Sequence, residues 1–171
     1  MPLLRADSSV LLVVDLQERL MPAIAGAHAV LDNNVRLVRA ATRLGIDVRA
    51  TEQNPEGLGA TVGEIGDLLP RPAEPKTTFA AEVDPGPGTV VVTGCEAHVC
   101  VLQTVLALRA GGRDVAVVAD AVGSRTESNR ERGLDRMRAH GVDVVTTEMV
   151  VFEWLHDSEN PAFREVQKLI K

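Results

Sequence analysis

Val90-Val91-Val92-Thr93-Gly94-Cys95-Glu96-Ala97-His98-Val99-Cys100, continued by the amphipathic run Val101 to Ala110, is the stretch whose reading decides the fold. It reads as an apolar strand, a sharp turn and a helix that starts on a cysteine. A thiol at a helix N-terminus faces unpaired backbone N–H groups and the positive end of the helix dipole, which lower its pKa and favour the thiolate. The expectation is a cysteine nucleophile, Cys100, at the carboxyl edge of a parallel sheet. The competing reading is a small buried hydrophobe, because cysteine is among the most buried residue types. Cys95, at the strand end, takes that structural role. A disulfide between the two is not expected, since strand-turn-helix geometry does not bring their side chains together reliably and no CxxC spacing is present.

Working outward, short β-branched runs alternate with longer helical patterns. Val10 to Asp15 precedes a helix through Ala29 to Leu44, and Asp47 to Thr51 precedes a loop. Thr89 to Thr93 precedes Val99 to Ala110, Val115 to Ala119 precedes Glu127 to His140, and Val142 to Thr146 precedes a terminal helical segment. This is a βα repeat. The strands are continuously apolar rather than alternating, as when helices cover both faces of a sheet. The fold class is therefore α/β, a three-layer α/β/α sandwich with a central, mainly parallel sheet. Gly45, Gly111-Gly112 and Gly141 follow helical runs where a left-handed C-cap is wanted, and Ser124 with Glu127 has capping-box spacing. No repeat or low-complexity linker divides the chain, so residues 1–171 are expected to form one domain. The irregular stretch from Glu52 to Ala81 is long enough to carry function or a short helix.

With 171 residues and 45% hydrophobic content the chain can bury a substantial core. A formal net charge of −6, with Lys and Arg scattered, argues against a nucleic-acid surface and against anionic membranes. Phe79, Phe152, Phe163 and Trp154 are the whole aromatic set, too few for base-stacking platforms. Arg5 and Asp7 lie near the start and Asp15 closes the first apolar run, so neither a signal peptide nor a spanning helix is expected. A cytoplasmic location with reduced thiols, and a small neutral or cationic molecule as partner, follow as expectations.

Ligands of open α/β sheets bind outside the carboxyl ends of the strands, which brings Asp15, Thr51 to Gln53, Gly94 to Cys100, and Asp120 into consideration. A carboxylate at Asp15 has no packing purpose there, though a helix cap or turn would also place one. Leu12-Val13-Val14-Asp15-Leu16-Gln17, Lys76-Thr77-Thr78-Phe79, Gly94-Cys95-Glu96-Ala97-His98-Val99-Cys100-Val101 and Val117-Val118-Ala119-Asp120-Ala121 resemble the isochorismatase-like cysteine hydrolase superfamily, in its order and across nearly the whole chain. Thr51 to Gly59 and Phe152 to Leu155 further resemble its small single-domain branch.

The resemblance implies a triad of Asp15, Lys76 and Cys100, an oxyanion hole from the backbone N–H groups of Glu96 and Cys100, and a non-proline cis peptide between Cys95 and Glu96. Gln17, Gln53, Phe79 and His98 are placed around the pocket. In this triad Asp15 accepts the thiol proton and the Lys76 ammonium stabilises both negative charges. Metal-dependent relatives carry an Asp-x-His pair where this chain reads Thr51-Glu52-Gln53, so neither a metal nor another cofactor is expected. The chemistry points to amide hydrolysis through a Cys100 thioester. Acid-catalysed ether cleavage of the isochorismatase type and a non-catalytic thiol redox or assembly protein stay open. The resemblance also implies a homo-oligomer. Dinucleotide binding is disfavoured, because Gly57-Leu58-Gly59 followed by Gly63 has the wrong spacing.

Overall fold

The structure, a computed structural model, describes residues 3–171. Six strands form one sheet: β1 (Ser9–Val14), β2 (Asp47–Gln53), β3 (Glu74–Lys76), β4 (Thr89–Cys95), β5 (Val115–Gly123) and β6 (Asp143–Val145). They lie in the order β3-β2-β1-β4-β5-β6, and every neighbouring pair is parallel. The main helices are α1 (Ala27–Arg43), α4 (Cys100–Ala110), α5 (Glu127–Ala139), α6 (Thr147–Leu155) and α7 (Phe163–Gln167), with two single-turn helices, α2 (Pro55–Leu58) and α3 (Gly63–Gly66).

The unbroken apolar strands are explained by two cores, one on each face of the sheet. Leu11 and Val13 of β1 point to one face, packed with Leu37 and Val38 of α1 and with Trp154 of α6. Leu12 and Val14 point to the other, packed with Val101 and Val105 of α4 and with Leu134 and Met137 of α5. All six residues of β1 are buried. The three-layer sandwich is therefore present, and its sheet is wholly parallel.

Strand order reverses between β1 and β4, the place where a doubly wound sheet opens a crevice at its carboxyl edge. The two strands approach closely there. Gly94, at φ +109°, lies so near β1 that a Cβ on it would meet the Val14 carbonyl oxygen at 2.0 Å. Gly133 of α5 does the same for the turn, since its Cβ would lie 2.8 Å from the Ala97 carbonyl oxygen.

Three local expectations need correction. Lys76 lies on the edge strand β3 rather than in a loop, while the short helix expected between Glu52 and Ala81 is present as α2 and α3. β5 runs on to Gly123, past a register shift opposite Val92 and Gly94, so Asp120 does not end a strand. Its carboxylate accepts from the Thr147 N–H at 2.8 Å and the Thr147 hydroxyl at 2.9 Å, anchoring the start of α6. Ser124 does not cap α5: the N-cap is Thr126, whose hydroxyl accepts from Asn129 N–H.

Candidate active site

Parallel register brings the first half of the site together. Val14 is level with Thr51 of β2, and Gln53 is level with Lys76 of β3, so the ends of three neighbouring strands deliver one polar cluster. Asp15 leaves β1 at φ +51° and donates its N–H to the Thr51 carbonyl at 3.1 Å. Its carboxylate is fully buried. Oδ1 accepts from the Thr51 hydroxyl at 2.7 Å and Oδ2 from the Lys76 ammonium at 2.8 Å.

Lys76 is itself enclosed, its side chain 7% exposed. Besides Asp15, Nζ lies 2.8 Å from Gln53 Oε1, 3.1 Å from the Phe79 carbonyl and 3.3 Å from the Thr78 carbonyl. Four acceptors surround three protons, so the ammonium is held in place as a fixed charge beside Asp15. Gln53 is steadied in turn, donating Nε2–H to the Thr77 carbonyl at 2.8 Å and its backbone N–H to Gln17 Oε1 at 2.8 Å.

The second half comes from the turn after β4. The Cys95–Glu96 peptide is cis. The Glu96 carbonyl then accepts from the N–H groups of Val99 and Val101, which closes the turn and starts α4 on Cys100. Val99 at the N-cap has no side-chain acceptor to offer. Among the described residues the N–H groups of Glu96 and Cys100 have no hydrogen-bond acceptor. The Glu96 side chain, itself buried, is held by Arg125, accepting its N–H at 2.9 Å and its Nε–H at 3.1 and 3.2 Å.

Asp15, Gln53, Glu96, Val99 and Cys100 line one cavity of about 360 Å³, together with Phe79 and Leu58. Arg19, Leu20, Ala23 and Arg125 complete its wall. Phe79 is 53% exposed, which places it at the cavity mouth rather than in the core.

The thiol departs from expectation. Burial foremost, and then the Asp15 carboxylate, push Cys100 up to about 12, with Lys76 pulling the other way. The same packing that brings Asp15 and Lys76 to the sulfur also strips it of water, which disfavours the thiolate. Cys100 therefore rests as a thiol. Cys95, wholly buried, is also raised to about 12, again with burial foremost.

Two residues expected around the pocket are not on its wall. Gln17 is fully buried and its amide is spent on the chain, donating to the carbonyls of Gln53 at 3.1 Å and Gly59 at 2.7 Å. His98 points to Ser124, its Nδ1 3.0 Å from the hydroxyl. Sequence reasoning passed over Thr51 as a partner of Asp15, and Arg19 and Arg125 as wall residues. Thr51 was within reach, since the sequence already places it at the carboxyl end of a strand run, as it does Asp15. The arginines carried no such signal.

Among the described residues no three His, Cys, Asp or Glu side chains converge into a metal-holding group. No helix among them is long and apolar enough to cross a membrane.

A family model described as the isochorismatase domain matches residues 9–149. Isochorismatase domain-containing protein 1 of Salmo salar is 40% identical over 96% of this chain, which spans 61% of that protein's length. Isochorismatase domain-containing protein 2 of Danio rerio is 38% identical over 98% of the chain and 89% of its own. A solved structure titled MAR1 ribonuclease from Caenorhabditis elegans superposes with a TM-score of 0.95 at 36% identity, covering 99% of this chain and 92% of that one.

Proposed function

The chain belongs to the isochorismatase family of hydrolases, and from that premise we propose that it hydrolyses the C–N bond of a small amide through a thioester on Cys100. The observation that carries this reading is the buried Asp15 carboxylate, 2.8 Å from the Lys76 ammonium and on the wall of the same cavity as the thiol. Because Cys100 rests protonated, attack and proton transfer are coupled. Asp15 takes the thiol proton as sulfur adds to the carbonyl carbon, and the Lys76 ammonium, 2.8 Å from the carboxylate, stabilises the negative charge of the site.

The oxyanion that develops is received by the N–H groups of Glu96 and Cys100, which lack other acceptors among the described residues. Collapse breaks the C–N bond, and the departing nitrogen takes the proton from Asp15. Water then attacks the thioester, Asp15 accepts its proton, and the sulfur leaves and is reprotonated. With Nζ surrounded by four acceptors, Lys76 acts by charge and Asp15 by proton transfer.

The name of the Caenorhabditis elegans relative points to RNA instead. On this chain a net charge of −6 and the confined cavity favour a small molecule over a polyanion. A cytoplasmic, single-domain, homo-oligomeric hydrolase without a metal completes the proposal. The exposed apolar side chains Leu3, Met149 and Phe152 suit a subunit contact.

The test is a panel of small amides, with RNA as a comparison, assayed before and after thiol alkylation and in the presence of EDTA. Alkylation-sensitive, chelator-insensitive release of amine, with an acyl adduct on Cys100 by mass spectrometry, is the expected result. RNA cleavage that survives alkylation, or loss of activity with EDTA and its recovery with zinc or iron, overturns it.

A further inference from the structure

We infer that Gln17, buried outside the cavity, is a positioning residue for the proposed reaction: its side-chain amide completes the sheet where β1 turns away, and so holds Gln53 and, through Gln53, the Lys76 ammonium. The inference rests on the amide-hydrolase reading and deepens it by naming what fixes the site's positive charge. β1 and β2 stay in register up to Val14 and Thr51. Asp15 then leaves the strand at φ +51°, while β2 runs on to Gln53. The Thr51 carbonyl faces β1, where it accepts from the Asp15 N–H, so the N–H and carbonyl of Gln53, two residues on, face the same way. With β1 turned away they have no ladder partner, and such groups are costly to leave unpaired.

The Gln17 amide takes the missing strand's place. Its Oε1 accepts from the Gln53 N–H at 2.8 Å, and its Nε2 donates to the Gln53 carbonyl at 3.1 Å and to the Gly59 carbonyl at 2.7 Å. One amide thus serves both backbone groups of Gln53, as a neighbouring strand would, and also ties in Gly59 beside the wall residue Leu58. Gln17 is 0% exposed, so water does not compete for these bonds. From that fixed backbone the Gln53 side chain bridges to Lys76, its partner in register on β3. Nε2 donates to the Thr77 carbonyl and Oε1 accepts from Lys76 Nζ, each at 2.8 Å. A carbonyl cannot donate and an ammonium cannot accept, so only one orientation of the Gln53 amide satisfies both. Gln53 is therefore an oriented acceptor on the ammonium that lies 2.8 Å from Asp15 Oδ2. A purely structural role for Gln17 would leave a loosened site on its removal, whereas a positioning role would leave a displaced charge, and the two move Cys100 in opposite directions.

The test is Gln17→Met, of similar length without the amide, Gln53→Leu, and the two combined. Gln17→Met should lower kcat on the best small amide about tenfold or more with KM within about threefold, because the cavity wall is kept and the placement of the charge beside Asp15 is not. The double variant should lie within about twofold of Gln17→Met, since both residues act by one route. Gln17→Glu, which keeps the acceptor and, protonated, one donor, should lie between wild type and Gln17→Met, and it carries the test if Gln17→Met does not fold. Iodoacetamide adds a readout without substrate. Lys76 favours the Cys100 thiolate, so labelling of Cys100 at about pH 8 should slow about threefold or more in both single variants while Cys95 keeps its rate. Unchanged kcat in folded Gln17→Met, losses that multiply in the double variant, or faster labelling of both cysteines, as a loosened site would give, overturns the inference. Slower Cys100 labelling in a protein that releases no amine from any amide keeps the role of Gln17 and removes the hydrolase; amine release through an acyl adduct on Cys100 that Gln17→Met leaves unchanged does the reverse.

Discussion

Cys95 and Cys100 lie five positions apart around one turn, and their thiols are raised alike to about 12, yet their surroundings differ. Cys95 ends β4 within the core shared by α1 and α6, fully buried, with Met21 Sδ 4.0 Å from its sulfur. Cys100 begins α4, is 7% exposed, and borders the cavity with Asp15. The difference teaches that acidity does not single out the nucleophile here. What distinguishes Cys100 is a carboxylate to take its proton, two N–H groups to receive an oxyanion, and space for a substrate.

The strongest way to break this comparison is to remove each sulfur in turn. Cys100→Ala should lower turnover of the best amide by about a thousandfold or more, because a covalent mechanism has no substitute for the sulfur. Cys95→Ala should leave kcat within about tenfold, its effect falling on stability through a small core cavity. A Cys100→Ala enzyme that keeps near wild-type kcat, while Asp15→Asn abolishes it, would replace the thioester by acid-catalysed cleavage.

Lys76→Met sharpens the comparison from the other side of the cavity. It leaves the buried Asp15 carboxylate with the Thr51 hydroxyl as its remaining side-chain partner, at a cost of about 3 kcal/mol in a denaturant titration. Turnover should fall about a hundredfold along with it. Unchanged stability would mean that the Lys76–Asp15 contact contributes nothing net to the fold.

Labelling reads access directly. Iodoacetamide should modify Cys100 about tenfold or more faster than Cys95 in the folded protein. The Cys100 rate should rise about tenfold per pH unit from neutrality to about pH 10, without a plateau, because the thiolate fraction keeps growing below a pKa of about 12. A plateau near neutral pH would mean that Lys76 and the helix terminus outweigh burial after all.

The smallest effect is on alkaline stability. A thiol whose folded pKa lies above its unfolded value contributes stability that is fully present below the unfolded value and lost as pH rises beyond it. For Cys95, raised from 9.0 to about 12, that loss begins near pH 9. Wild type should therefore lose about 1.4 kcal/mol relative to Cys95→Ala between about pH 8 and about pH 10. A constant gap between the two proteins would remove burial as the cause of the shift.

The amino-acid sequence by itself determined the layered parallel sheet, the turn after β4 and the start of a helix on Cys100. Those features are written in local patterns: unbroken β-branched runs mark strands buried on both faces, glycines mark where backbones approach, and apolar spacing marks helices. Asp15, Lys76 and Cys100 were legible together only through the motifs they share with a family, since 61 residues separate the lysine from the aspartate and nothing local joins them. Only the tertiary structure decided that Thr51 holds Asp15, that Lys76 is enclosed by four acceptors, and that Gln17 and His98 are committed elsewhere. It also reversed the expected direction of the Cys100 thiol. A helix terminus is visible in sequence, but desolvation depends on how segments far apart in the chain close over the sulfur, and at this site burial is the largest cause of the upward shift.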